Sequence, residues 1–269
     1  MAGLDRELET ALKAMEASFH VRLIGTFAPD LVWAPAEADA TAWLAKNNPD
    51  FDQFPVKQGD VAVGILLRQG HHTGKTVCET MQPLGEGLIV SADMPIADLI
   101  PELHDNHYRL VLRGSRIDGL VTQSDLLKLP VRLVLFALIT HLEHVMADVI
   151  STHWPNDSWF AELSQGRQSK IICKESKLRD RGMNPPRIEL TEFSDKRDLC
   201  KRLIDGSKSA FQKGLEDLRD PRDQLVHAAT FVNGSDGKRG ATALVNKFES
   251  AKHWIDQLSK LTSENKASQ

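Results

Sequence analysis

Along the chain the spacing of apolar positions changes character twice. From Leu4 to Leu23 they recur three and four apart (Leu4, Leu8, Ala11, Leu12, Met15, Phe19, Leu23), which predicts an amphipathic helix over 4–24. From Thr26 the pattern breaks into short units. Residues 39–46 read as a helix, 47–55 as a turn-rich link, and the apolar run 61–67 as a short buried strand. That order then repeats. Residues 87–90 are extended, 96–106 helical and 108–112 a strand; Gly114-Ser115 turns the chain into a strand over 117–122, and a helix opens near Ser124. A duplication at roughly 60 residues predicts a tandem module rather than one large sheet.

After Pro130 every segment reads as helix. Residues 131–153 are apolar around much of the circumference, which predicts a helix covered on more than one side, as in a bundle core or a dimer interface. His141, Glu143 and His144 lie on it without metal-ligand companions and read as polar surface or interface groups, Glu143 being also a candidate supporting residue. Trp154-Pro-Asn-Asp-Ser158 breaks this helix and caps another that runs to about Arg179; 182–186 is a loop, and helices follow at 195–205 and 207–219. Asp220 then reads as an N-cap, Pro221 as a first helical residue and Asp223 as the acidic half of a capping box, so a new helix opens there. Residues 233–240 end that helix. The last helix spans 242–261, with Leu244, Phe248, Ala251, Ile255 and Leu258 on one stripe, and a frayed tail follows.

Composition narrows the class. A chain of 269 residues, 41% hydrophobic and 26% charged, is long enough for two cored domains. Cys78, Cys173 and Cys200 are scattered and odd in number, which argues for a reducing compartment and against a disulfide framework or structural zinc. The first residues form an acidic amphipathic stretch rather than a signal peptide, and the longest wholly apolar run, 133–139, is too short to cross a bilayer. These features predict a cytoplasmic protein with no membrane partner. Charge is divided unevenly: residues 131–269 carry 22 Lys and Arg against 19 Asp and Glu, leaving 11 against 18 in the first 130. Between 167 and 187 stand seven basic residues (Arg167, Lys170, Lys174, Lys177, Arg179, Arg181, Arg187) against Glu175 and Asp180. Such a cluster suits a nucleic-acid backbone, with Arg167, Lys170, Lys174 and Lys177 as candidate RNA contacts; a solvated helix face is the plainer account.

The element opening at Asp220 places an arginine, an imidazole and a helix N-terminus together, each suited to a phosphodiester. Arg222-Asp-Gln-Leu-Val-His227 resembles the R-x4-H motif, with a polar residue after the arginine, of HEPN-domain proteins. The resemblance implies a small all-helical domain that dimerises. Many members are metal-independent ribonucleases acting as toxins or antiviral, phage-defence effectors. It further implies that His227 serves as general base or acid, that Arg222 holds the scissile phosphate and that Asp223 orients one of them. A homodimer would bring two histidines together, and no metal is required.

A second resemblance covers 26–130. Gly119-Leu-Val-Thr122-Gln-Ser-Asp125-Leu-Leu127 resembles the closing signature of a CBS domain, G-h-h-[ST]-x-x-D-[LI], and Thr76 to Met81 resembles the stretch that opens the second repeat. It implies a CBS pair, a module that commonly binds adenine nucleotides, with Thr122 on a phosphate, Asp125 on the ribose hydroxyls and Gly119 beside them. The first repeat departs from the pattern: Gly64-Ile-Leu-Leu-Arg-Gln-Gly70 lacks the hydroxyl and the carboxylate. His71-His-Thr-Gly-Lys75 reads as a polar inter-repeat linker before it reads as a metal or phosphate loop.

The expected fold class is therefore α+β, a tandem CBS (βαββα) pair followed by an all-α, HEPN-like helical bundle. The segments are an N-terminal helix (1–25), the pair (26–130), the helical domain (131–262) and a tail (263–269). The expected activity is a nucleotide-regulated, metal-independent endoribonuclease acting on RNA, tRNA being one candidate, with ATP, ADP or AMP as regulatory ligand and no catalytic cofactor. The alternative is a non-catalytic adenine-nucleotide-sensing adaptor whose helical half dimerises or binds a partner. A helical half that merely holds the dimer together is a third account.

Overall fold

The computed structural model describes residues 10–11, 13–15, 17–204, 208–224 and 237–267. In the first half the aliphatic runs at 61–67 and 108–112 are extended. Strands β1 (Thr26–Phe27), β2 (Ala34–Pro35), β3 (Gln53–Gln58), β4 (Val61–Leu67), β5 (Gln82–Pro83), β6 (Ile89–Ser91), β7 (Tyr108–Arg113) and β8 (Arg116–Thr122) alternate with helices α1 (Ala40–Lys46), α2 (Val77–Thr80) and α3 (Ile96–Asp105). Two of these helix starts have a side-chain cap. Asp39 caps α1 by accepting from the Ala42 N–H at 2.7 Å. Thr76 and Glu79 form a capping box on α2, and the backbone N–H of Thr76 holds the Glu79 carboxyl below its ordinary range.

The strands form two sheets of one design, in the orders β2-β3-β4-β5 and β1-β8-β7-β6. In each, a parallel pair (β2 with β3, β6 with β7) joins an antiparallel hairpin (β3 with β4, β7 with β8). The hairpins bulge at matching places, Val56/Lys57 and Val111/Leu112. Gly64 and Gly119 likewise stand 55 residues apart, so the repeat is somewhat shorter than its apolar pattern suggests. The short strand before each repeat adds to the other repeat's sheet, β1 on β8 and β5 on β4. A buried cluster of Leu31, Ile65, Leu88, Leu110 and Leu120 draws on both repeats, which makes the duplication one cored body.

The N-terminal helix ends earlier than its stripe predicts. Residues 17–18 are its last helical ones; His20 bridges to Pro95, and the Val21 and Arg22 N–H groups donate to Met94 and Ala92 at 2.9 and 3.0 Å. Backbone bonds to a distant segment win over local periodicity there.

The second half is helical, as its periodicity predicts. It holds α4 (Leu129–His153), a 3-10 segment (Pro155–Glu162), α5 (Gln165–Arg179), a 3-10 turn (Arg187–Leu190), α6 (Phe193–Leu203), α7 (Lys208–Gln224) and α8 (Gly237–Ala267). The boundary between two compact units falls inside α4, at Val134/Leu135. By length and composition α4 is apolar enough to cross a membrane, a property its short uninterrupted run hides, while over half of its most apolar window is buried. Asn156 and Asp157, both at φ 58, lie in the break expected at 154–158, and the helix expected to follow it starts only at Gln165. Left-handed backbone cannot continue an α-helix.

Two boundaries near the R-x4-H motif need correction. No helix starts at Asp220: α7 runs through Asp220, Pro221, Arg222 and Asp223 without a break. Proline in a helix costs about 3 kcal/mol. Phe211, Leu215 and Leu218 on this same helix are fully buried, and at about 1.5–3 kcal/mol each they outweigh it. Residues 237–240, expected to end the motif helix, instead begin α8.

Candidate functional site

Strand β8 delivers Thr122 to the edge of a cleft of about 330 Å³. The chain then turns into a 3-10 segment, Gln123–Leu127, that Thr122 caps. The cap is reciprocal: the Thr122 N–H and hydroxyl both donate to Asp125 Oδ2, at 2.7 and 3.1 Å, and the hydroxyl oxygen accepts from the Asp125 N–H. Asp125 is buried, and its Oδ1 meets Lys128 Nζ at 2.7 Å. Gln123 ties the turn to the body, its N–H to the His107 carbonyl at 3.0 Å and its amide to the Leu103 carbonyl at 2.8 Å.

Thr122 and Asp125 therefore both line the cleft, as the signature leads one to expect. The role expected of Thr122 changes, however. Its proton is committed to Asp125, so in this state the hydroxyl has nothing to donate to a phosphate. Asp125 keeps acceptor capacity on Oδ1, where Lys128 takes one position of two. Gly119 is not among the lining residues. An added Cβ there would come within 2.4 Å of the Phe27 ring, so its lack of a side chain serves the packing of β1 on β8.

The other walls come from residues the signature does not reveal. Leu31, Val32, Phe51, Phe54 and Leu120 supply apolar surface. Asp30, Asp50 and Asp52 line the same cleft, and no lysine or arginine does. Arg68 stands where the second repeat has Gln123. Its guanidinium donates to the carbonyls of Phe51 and Asn48, both at 2.7 Å, and of Leu44 at 3.2 Å, and lies over the Phe54 ring at 5.3 Å. It pins the wall that carries Phe51. The matching offset of the two repeats is the only signal that singles it out.

In the first repeat, Leu67 and Gly70 occupy the places of Thr122 and Asp125. A hollow of about 370 Å³ lies there, lined by Gln69, His71, His72, Lys75 and Glu79 among others. The His72 ring packs on Gly70, with both nitrogens buried and unpartnered. Among the described residues no three His, Cys, Asp or Glu side chains converge as a metal site.

The helical unit holds a buried ionic cluster. Asp195, Lys196 and Arg197 are consecutive on α6 and all buried. Lys196 Nζ meets Glu143 Oε1 at 3.0 Å and the Thr191 carbonyl at 3.3 Å. Arg167, expected on RNA, is instead committed inward: Nε donates to Asp195 Oδ1 at 2.8 Å, a second nitrogen to Asp195 Oδ2, and Nη1 to Glu192 at 3.0 Å. Asp195 above all raises its pKa, so it stays charged and occupied. Lys170, Lys174 and Lys177 are exposed on α5. Burial pushes the Cys200 thiol up, while Cys78 and Cys173 are exposed. The backbone at Arg222 and Asp223 is helical within α7, so these residues do not flank an open helix N-terminus. His227 lies outside the described residues.

No family model matches the chain, and no curated protein matches it. The solved structures it is similar to include several CBS domains. The CBS domain of a bacterial CNNM/CorC-family Mg2+ transporter, solved in complex with ATP, is 22% identical over 49% of this chain and 96% of that one, with a TM-score of 0.37. A CBS-pair protein of Arabidopsis thaliana is 16% identical over 44% and 94%, with a TM-score of 0.35. A hemolysin-like protein of Oenococcus oeni containing a CBS domain is 15% identical over 42% and 91%, also at 0.35.

Proposed function

We propose that the two-repeat unit senses an adenine nucleotide and that the helical unit carries out the response. The cleft at the end of β8 is the observation that carries this reading. Its volume of about 330 Å³ falls in the range of small-ligand sites, and it combines apolar walls with a few polar groups. Leu31, Val32 and Phe51 suit a purine, and Asp125 has an acceptor left for a ribose hydroxyl. Calorimetric titration of ATP, ADP and AMP tests it. Asp125→Ala is expected to weaken binding tenfold or more. Because that change also removes a cap, Val32→Trp serves beside it, filling the cleft without touching the cap. Wild-type protein that binds none of the three nucleotides sinks the reading.

The response favoured by the R-x4-H spacing is metal-independent RNA cleavage in a homodimer, with His227 moving the proton, Arg222 on the scissile phosphate and Asp223 orienting. Incubation with total RNA and tRNA in EDTA, wild type beside His227→Ala, is the measurement. Cleavage that survives the chelator and vanishes in the variant is expected. Intact RNA with wild type, with and without nucleotide, would leave the non-catalytic adaptor.

A further inference from the structure

The geometry points to one face of α5 as a docking ridge for the phosphate backbone of RNA. Helix α5 turns Ile171 inward, with Arg167, Glu175 and Leu178 half-buried on the same side. At 100° per residue Lys170, Lys174 and Lys177 fall within a sector of about 60° beside that face, and the turn after the helix continues it with Arg181. No acidic residue shares the sector. Glu175 points elsewhere and is occupied by Arg187 at 3.1 Å and Arg179 at 3.4 Å. Lys170, Lys177 and Arg181 are exposed, and no ion pair or hydrogen bond of their side chains is present among the described residues. Lys174 is half exposed, resting on the Leu190 carbonyl at 3.3 Å and 4.0 Å from Glu192, so its charge still reaches solvent.

The helical part of the ridge, from Lys170 to Lys177, is about 10 Å long at 1.5 Å per residue, with cations about one helical turn apart. That step is comparable to the separation of neighbouring phosphates along a nucleic-acid strand. An acidic protein fits less well. Protein interfaces are depleted in lysine at their cores and need apolar anchors, and the sector contains none. Phosphate backbone asks only for accessible point charges whose counterions can be released. The occupant is therefore a polynucleotide held without sequence reading. The ridge does not require cleavage, and it replaces Arg167 with Arg181 in the expected set.

The test is fluorescence anisotropy of a labelled single-stranded RNA 20-mer with the full chain carrying His227→Ala, titrated across salt. A DNA 20-mer of the same sequence runs in parallel. Lys170→Gln/Lys177→Gln is compared with Lys46→Gln/Lys57→Gln, an equal loss of exposed charge in the other unit. The ridge variant is expected to bind on the order of tenfold more weakly, with a log–log salt slope shallower by about 1.4, while the control stays near wild type. DNA bound as well as RNA supports a backbone ridge. No binding of RNA at low salt, an unchanged slope in the ridge variant, or equal loss in both variants overturns it. Ridge binding together with intact RNA after incubation with wild-type protein in EDTA, with and without nucleotide, would sink the nuclease reading alone.

Discussion

Lys196 shows what a single residue hides. In the sequence it stands in Ser194-Asp-Lys-Arg-Asp198, at the opening of the helix expected over 195–205. In the structure its side chain is 5% exposed and the Glu143 carboxylate, 19% exposed, compensates it. Removing one partner of a buried pair costs about 3–5 kcal/mol, because the other charge stays behind uncompensated. Glu143→Ala is thus expected to lose stability on that order in urea denaturation. Glu143→Leu/Lys196→Met, which removes both charges at similar volume, is expected to recover most of it. Equal losses in the two variants would mean that the charges are not what the site is built on. Glu143 also illustrates how a role is missed: its helical position was legible, but its partner lies 53 residues away in sequence.

At the scale of elements, strands β4 and β8 carry one glycine each, and each makes room for a close neighbour. Gly119 makes room for the Phe27 ring, and Gly64 makes room for the backbone carbonyl of Gln82, which a Cβ would approach to 2.3 Å. Overpacking costs about 1–3 kcal/mol. Gly119→Ala is expected to fall in that range and to be relieved when Phe27→Ala is added, since a side chain is what obstructs. Gly64→Ala is expected to find no such relief from truncating Met81, because the nearest obstacle is main chain. Thermal unfolding of the four variants separates the cases. The strands themselves were legible: the runs at 61–67 and 108–112 are β4 and most of β7. The exchange of β1 and β5 between sheets was not, since two-residue strands carry no periodicity.

For the whole molecule, charge decides what the proposed nucleotide site would favour. Asp30, Asp50, Asp52 and Asp125 line the cleft, no lysine or arginine lines it, and Lys128 meets Asp125 from beside it. Every added phosphate brings negative charge toward carboxylates, at about 1 kcal/mol per unit pair 4 Å apart in water and more near a protein surface. Without divalent cations, affinity is therefore expected to fall from AMP through ADP to ATP. The stabilisation each gives in thermal shift should follow that order, reaching about 2.7 kcal/mol at a hundredfold excess over Kd. ATP as the tightest ligand under those conditions would contradict a carboxylate-lined site. Taken alone, the amino-acid sequence determined what depends on near neighbours: the repeat, the strands β4, β7 and β8, the helical character of the second half and the α+β order. The tertiary structure decided what depends on distant partners. It turned Arg167 inward onto Asp195, carried α7 through Pro221, gave Gly119 a packing role and gathered the acidic wall opposite the signature. Periodicity and capping are written within a few residues of one another. Burial, ion pairing and the net charge of a cleft are set by residues that only the fold brings together.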